Sequence, residues 1–142
     1  MVKQYKAMVL SCIDPRFQPL VQQYLKRRKL SGQYSAFTIA GAAIGVTAKK
    51  FNQWHKTFID NLATSIKLHK IKKLIAINHQ DCGAAKIAVN KKELNQTEEF
   101  KIHHTAFKSL KKKLKKIFPK LRLETLVIDL RGRIKNVKIY GN

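Results

Sequence analysis

The chain has 142 residues, 44% of them apolar, and 30 Lys plus Arg against 8 Asp plus Glu, for a net charge of +22. That apolar fraction builds a real core and excludes wholesale disorder, and the length suits a single domain over residues 1–142. No apolar run approaches the ~20 residues of a bilayer-spanning helix. Residues 1–6 lack the apolar core and cleavage site of a secretory signal. Two cysteines, Cys12 and Cys82, are too few for a disulfide framework and suit a reducing compartment. The expectation is a cytoplasmic protein with no membrane partner.

Along the chain, short apolar runs alternate with longer helical patterns. Ala7-Met8-Val9-Leu10 reads as a buried strand. From Phe17, apolar residues at Leu20, Val21, Tyr24 and Leu25 mark one helix face, which ends in Lys26-Arg27-Arg28-Lys29 against the negative end of its dipole, before Gly32. A second strand is expected from Ser35 to Ile39, followed by the small residues Ala40-Gly41-Ala42-Ala43. A long amphipathic helix then carries Phe51, Trp54, Phe58, Leu62 and Ile66 on one stripe. Leu74-Ile75-Ala76-Ile77 is the third strand, and Gly83 to Val89 starts a short helix. Asn95 or Thr97 caps the next helix, whose expected apolar face is Phe100, Phe107, Leu110, Leu114 and Ile117, closed by Pro119. Thr125-Leu126-Val127-Ile128 is the fourth strand, Arg131-Gly132 a turn, and Val137 to Tyr140 the expected fifth strand.

Strands alternating with helices imply right-handed crossovers and a mostly parallel sheet buried on both faces. The connection before the last strand is too short for a crossover, so that strand pairs antiparallel. The expected fold is a three-layer α/β domain: four parallel strands, one antiparallel edge strand, and helices on both faces.

The basic residues comprise 24 Lys and 6 Arg. Readers of base sequence favour the planar fork of Arg, and the run Lys111 to Lys116 has no interleaved aromatic residue for stacking. The charge therefore implies at most non-specific, salt-sensitive attraction to nucleic acid, and the lysine run reads first as a solvated helix face.

The reactive side chains fall in two clusters. Cys12, Asp14 and Arg16 follow the first strand; His79, Asp81 and Cys82 follow the third. Ligands of doubly wound sheets bind beyond the carboxyl ends of strands where the strand order reverses, so neighbouring first and third strands would bring both clusters into one crevice. Two thiols and an imidazole make a soft ligand set suited to zinc, whose catalytic sites keep three protein ligands and one open position. Each motif by itself is a weak signal, since a small buried Cys is usually packing. The spacing lacks the close Cys-x-x-Cys pair of dithiol exchange. His55, His69, His103 and His104 lie on helical patterns and read as surface or partly packed side chains. Asp81 reads as a hydrogen-bonder within the ligand loop or as a group that orients a ligand, outside the ligand set.

Taken together, Cys12-Ile13-Asp14-Pro15-Arg16, Ala40-Gly41 and His79-Gln80-Asp81-Cys82-Gly83 resemble the β-class carbonic anhydrases in order, separation and setting, over nearly the whole chain. The likeness is to the short, minimal members. Thr38-Ile39 stand where that family commonly has Arg-Asn, and the N-terminal helical arm of many members is not expected here.

The resemblance implies one zinc per chain held by Cys12, His79 and Cys82, a homodimer or higher homo-oligomer, and reversible hydration of carbon dioxide to bicarbonate by a zinc-bound hydroxide. It implies catalytic roles for Asp14 and Arg16. Asp14 either pairs with Arg16 or serves as the fourth zinc ligand, and the bidentate fork of Arg16 favours the first arrangement. Gly83 is expected to permit close packing at the start of the short helix. Two alternatives stand beside this reading. One is hydrolysis of another small heterocumulene such as carbon disulfide. The other is a catalytically silent zinc-binding relative whose basic surface binds nucleic acid or an acidic partner.

Overall fold

The computed structural model describes residues 3–140. Four parallel strands, β1 (Ala7–Ser11), β2 (Tyr34–Thr38), β3 (Lys73–His79) and β4 (Arg122–Ile128), form a sheet with β5 (Ile134–Asn136) antiparallel at one edge. The order is β2-β1-β3-β4-β5. All of β1 and residues 74–79 of β3 are buried, as the continuous apolar runs of central parallel strands require.

Helix α1 (Gln18–Arg27) covers one face through Val21 and Leu25, which pack with Val9, Ile75, Ile77 and Leu126. Helices α2 (His55–His69) and α4 (Gln96–Ile117), with the short α3 (Gly83–Ala88) between them in sequence, follow; α2 and α4 cover the other face, where Phe58, Leu62, Phe107, Leu110 and Leu114 meet Met8, Leu10, Leu74 and Ala76. The chain leaves β1 in one direction along the sheet and returns past it to β3. Crossovers of one hand must then lie on opposite faces, which produces the three layers. The reversal falls between β1 and β3, which pair directly from Met8–Leu74 to Ser11–Ile77.

Three local expectations need correction. The helix expected from Phe51 begins as a 3-10 turn over Lys49–Trp54, kinked at Phe51, and becomes α-helical only at His55; Phe51 and Trp54 stack at 4.6 Å between ring centroids. The fifth strand is Ile134–Asn136, not Val137–Tyr140. Asp129 ties the preceding turn by accepting from the backbone of Arg131 and Arg133, so pairing with β4 starts at once at Ile134 and fades after Val137. On α4, Phe100 is 55% exposed and Ile117 45% exposed, whereas Glu99 and His103 are buried. The stripe set by Phe107, Leu110 and Leu114 runs back through His103 to Glu99, because α-helical neighbours are three or four residues apart. Asn95 is the cap, in a reciprocal box with Glu98.

Candidate metal centre

The loops after β1 and β3 meet at the reversal point of the sheet. There the ligand atoms of Cys12, His79 and Cys82 all lie within 4.8 Å of one another, with all three residues buried. His79 ends β3, and its Nδ1 donates to the Gln80 carbonyl at 2.8 Å. That bond turns Nε2 toward the thiols. Nε2 is buried with no hydrogen-bond partner. Phe17 stacks on the imidazole at 4.0 Å and holds the ring in plane.

The Cys12 thiol is pulled down to about 4, chiefly by the Cys82 thiol donating to it, with burial opposing and His79 and the Gly41 amide assisting. The Gly41 N–H reaches its Sγ at 3.2 Å. Cys82 is pushed up, first by that same contact with Cys12 and then by burial. His79 is raised: burial opposes its charge, but the Cys12 contact prevails. Two thiols and an imidazole are thus crowded around shared protons in a buried space. A soft divalent cation takes the place of those protons without leaving a donor unsatisfied. The donor set fits zinc.

Asp14 stands beside this group. Its Oδ2 lies 3.7 Å from His79 Nε2 and 2.8 Å from Arg16 Nη2, while its Oδ1 accepts from Arg16 Nε at 3.1 Å and from the Arg16 amide at 2.9 Å. The Arg16 side chain, against modest burial, holds the carboxyl below its usual range. Arg16 also reaches the other loop, donating to Asp81 Oδ2 at 3.1 Å and to the Asp81 carbonyl at 3.0 Å. Asp81, expected to hydrogen-bond within its loop or to orient a ligand, thereby clamps the guanidinium between the two motifs. It adopts φ +59° and also pairs with Lys86 at 3.5 Å.

Behind the cysteines lies a buried network that the sequence reading missed. Glu99 Oε1 accepts from the Asp81 amide and Oε2 from the Cys82 amide, each at 3.0 Å. Oε2 also accepts from His103 Nε2 at 3.1 Å. Asn78 Oδ1 accepts from the Ala43 amide at 3.0 Å, so its Nδ2 must donate to His103 Nδ1 at 2.9 Å. In this chain of bonds His103 accepts at Nδ1 and donates from Nε2. Burial pushes the Glu99 carboxyl up, but the bonds from His103, Cys82 and Asp81 outweigh it and keep Glu99 ionised. His103 is therefore a core residue, 3% exposed, not a surface histidine. Its place four and eight residues from Phe107, together with Glu99, was the available signal. His69 and His55 are half-buried as expected, the former bonded to Ser35 Oγ at 2.9 Å.

A close approach does occur here, but at Gly41. A Cβ on Gly41 would lie 2.8 Å from that of Ala84, and its φ is +81°. Gly83 faces open space, contrary to expectation.

A family described as "Putative carbonic anhydrase" matches residues 2–138, with Cys12, His79 and Cys82 inside the matched span. The chain belongs to this family. An uncharacterized protein of Rickettsia conorii is 26% identical over 137 residues, covering 96% of this chain and 74% of that one. Among solved structures, the β-carbonic anhydrase CafA of Aspergillus fumigatus superposes with a TM-score of 0.65 at 11% identity, covering 99% of this chain and 78% of that one. Tetrameric β-carbonic anhydrases from Sordaria macrospora superpose at 0.64 with 14% identity, covering 99% and 84%. At those identities the likeness is one of fold, and it extends to the four parallel strands and antiparallel edge of this carbonic anhydrase family member.

Proposed function

We propose that this chain is a zinc lyase that interconverts carbon dioxide and bicarbonate, with Cys12, His79 and Cys82 as the zinc ligands. The observation that carries the reading is the buried Cys-His-Cys group with an Arg-held carboxylate 3.7 Å from its imidazole. Zinc, when bound there, supplies a Lewis acid that brings the pKa of water toward ~7.

The protein's own groups do the rest. Gln80 orients His79 through Nδ1, and Phe17 closes one side of the imidazole to water. Arg16 draws both oxygens of Asp14 toward itself, so the carboxylate stays ionised and beside the ligand group. In that position Asp14 accepts a hydrogen bond from the attacking water and turns its lone pair toward the substrate carbon. Asp81 keeps Arg16 from following Asp14 should the carboxylate swing inward as a fourth ligand.

Self-association and a cytoplasmic site of action belong to the same proposal. Ile13, Ile87, Val89 and Leu130 are exposed on the loops and short helix around the crevice, and a second copy would cover them. The Sordaria macrospora neighbours are described as tetrameric. No helix among the described residues is long and apolar enough to cross a membrane.

The deciding experiment is stopped-flow carbon dioxide hydration by zinc-loaded protein from neutral to alkaline pH, with Cys12→Ser as control. Zinc-dependent turnover that disappears in Cys12→Ser supports the lyase. No turnover at any pH with one zinc bound per chain overturns it.

A further inference from the structure

We infer that the end of the molecule opposite the metal centre is a docking face for the phosphate backbone of duplex nucleic acid. The argument starts from topology. All four parallel strands enter the sheet at that end, and α1, α2 and α4 all finish there.

Lys6, Lys29, Lys70, Lys72, Lys120 and Arg122 stand exposed around the entry points. Backbone bonds place them side by side: the Lys6 amide donates to Gln33, the Tyr5 amide to His69, and the Arg122 amide to Lys72. None of the six has a carboxylate partner among the described residues. The acidic residues lie elsewhere. Asp14, Asp81 and Asp129 follow strands at the opposite end, and Glu98 and Glu99 sit in the first turn of α4. Among the described residues, the one carboxylate near the entry points, Glu124, is already held by Arg28 at 2.7 Å and Lys73 at 2.7 Å.

Helix dipoles account for only part of this distribution. Basic residues at the ends of α1, α2 and α4 complement the negative helix termini. Lys6, Lys72 and Lys120 precede strands and Arg122 opens β4, where no helix terminus needs them. Lys29 and Lys70 are more telling still. They occupy left-handed backbone after α1 and α2, at φ +59° and +56°, where glycine sits without strain. Lysine stands there despite the conformational cost. Repulsion among these charges opposes the compact state, and a polyanion relieves it.

The form of the face selects the partner. The entry edge from β2 to β4 spans about 14 Å, with a helix layer on each side, so it is broad; a cavity of about 650 Å³ lies to its side, between the end of α4 and the β4–β5 edge. Binders of single strands pair a groove with exposed rings on which bases stack. Here Phe100 belongs to the other end, and among the described residues Tyr140 is a single exposed ring, at the side of that cavity. An anionic membrane would want apolar side chains that insert, and among the described residues only Leu68 and Ile117 are exposed at the ends of α2 and α4. Phosphate contact without base readout is what remains. It does not depend on the metal centre being active.

The test is fluorescence anisotropy with a labelled mixed-sequence RNA duplex and its DNA counterpart, from about 50 to 200 mM salt. Lys6→Glu/Lys72→Glu/Arg122→Glu is compared with Lys50→Glu/Lys92→Glu/Lys101→Glu, which lowers the net charge equally at the metal-centre end. The first variant is expected to lose at least about tenfold in affinity and to flatten the salt slope by about two to three. The second should change by less than about threefold. The neutral set Lys6→Gln/Lys72→Gln/Arg122→Gln serves if charge reversal lowers the thermal midpoint. Equal losses in both variants, or no duplex binding at the lowest salt, overturn the inference. So does face-dependent binding to phosphatidylserine vesicles with none to either duplex.

Discussion

Replacing Glu99 by alanine removes the acceptor shared by three N–H groups, those of Asp81, Cys82 and His103, at 3.0, 3.0 and 3.1 Å. Asp81 is half-exposed, so water replaces its partner; Cys82 and His103 are buried and have no such access. A buried donor left without an acceptor costs about 1–3 kcal/mol, which puts Glu99→Ala near 3 kcal/mol after partial relaxation of the vacated space. Glu99→Gln can keep its oxygen toward Cys82 and His103 but sets its NH2 donor against the Asp81 N–H and loses that bond, so about 1 kcal/mol is expected. Urea unfolding of chelator-treated protein measures both values without any contribution from a bound metal. The Cys82 thiol should also react faster with a thiol reagent in Glu99→Ala, because its loop loses the anchor. A loss below 1 kcal/mol for Glu99→Ala, or equal losses for the two variants, would refute the claim that Glu99 holds this loop.

Other outcomes follow from the same structure. Gly41→Ala should destabilise the protein by about 2 kcal/mol or more, from left-handed strain and the 2.8 Å approach to Ala84, while Gly83→Ala should be near neutral; thermal melts of the two separate them. Glu124 is held down to about 2, first by Arg28, with burial opposing and Lys73 assisting. A depressed carboxyl contributes stability above its unfolded pKa and loses it as pH falls through the folded value. Acid titration should therefore show about 1–2 kcal/mol, discounted for solvent screening, disappearing between roughly pH 4.5 and pH 2, and Glu124→Gln should flatten that stretch. His79→Ala and Cys82→Ser should each bring zinc well below one equivalent after dialysis, as read by atomic absorption, whereas Arg16→Ala should retain it. Sedimentation velocity should show a dimer or larger species that Leu130→Lys dissociates, since the charge would sit in the covered apolar patch.

The architecture was legible because its signals are local. Continuous apolar runs such as Leu74 to Ile77 have one comfortable place, in a strand covered on both faces, and the strand–helix alternation with right-handed crossovers leaves few ways to order a sheet. The two reactive clusters each follow a strand, so knowing that β1 and β3 are neighbours is enough to bring Cys12, His79 and Cys82 together. Even the capping box at Asn95 and Glu98 is written within four residues.

What the chain could not declare on its own are contacts whose partners lie far apart in sequence. Nothing local tells that Asp81 grips Arg16 across 65 positions, or that Glu99 faces the Cys82 amide and not solvent. Phe100 and Glu99 are adjacent, and a rotation of one residue, about 100° around the helix, decides which is buried. The tertiary structure turned α4 so that the polar side chain went inside, because the buried amides of the Cys82 loop needed an acceptor more than the core needed another ring. Composition likewise gave the size of the positive charge without its direction. Only the common entry end of the parallel strands, with the helix ends beside it, gathers Lys6, Lys72 and Arg122 on one face and leaves most carboxylates at the other.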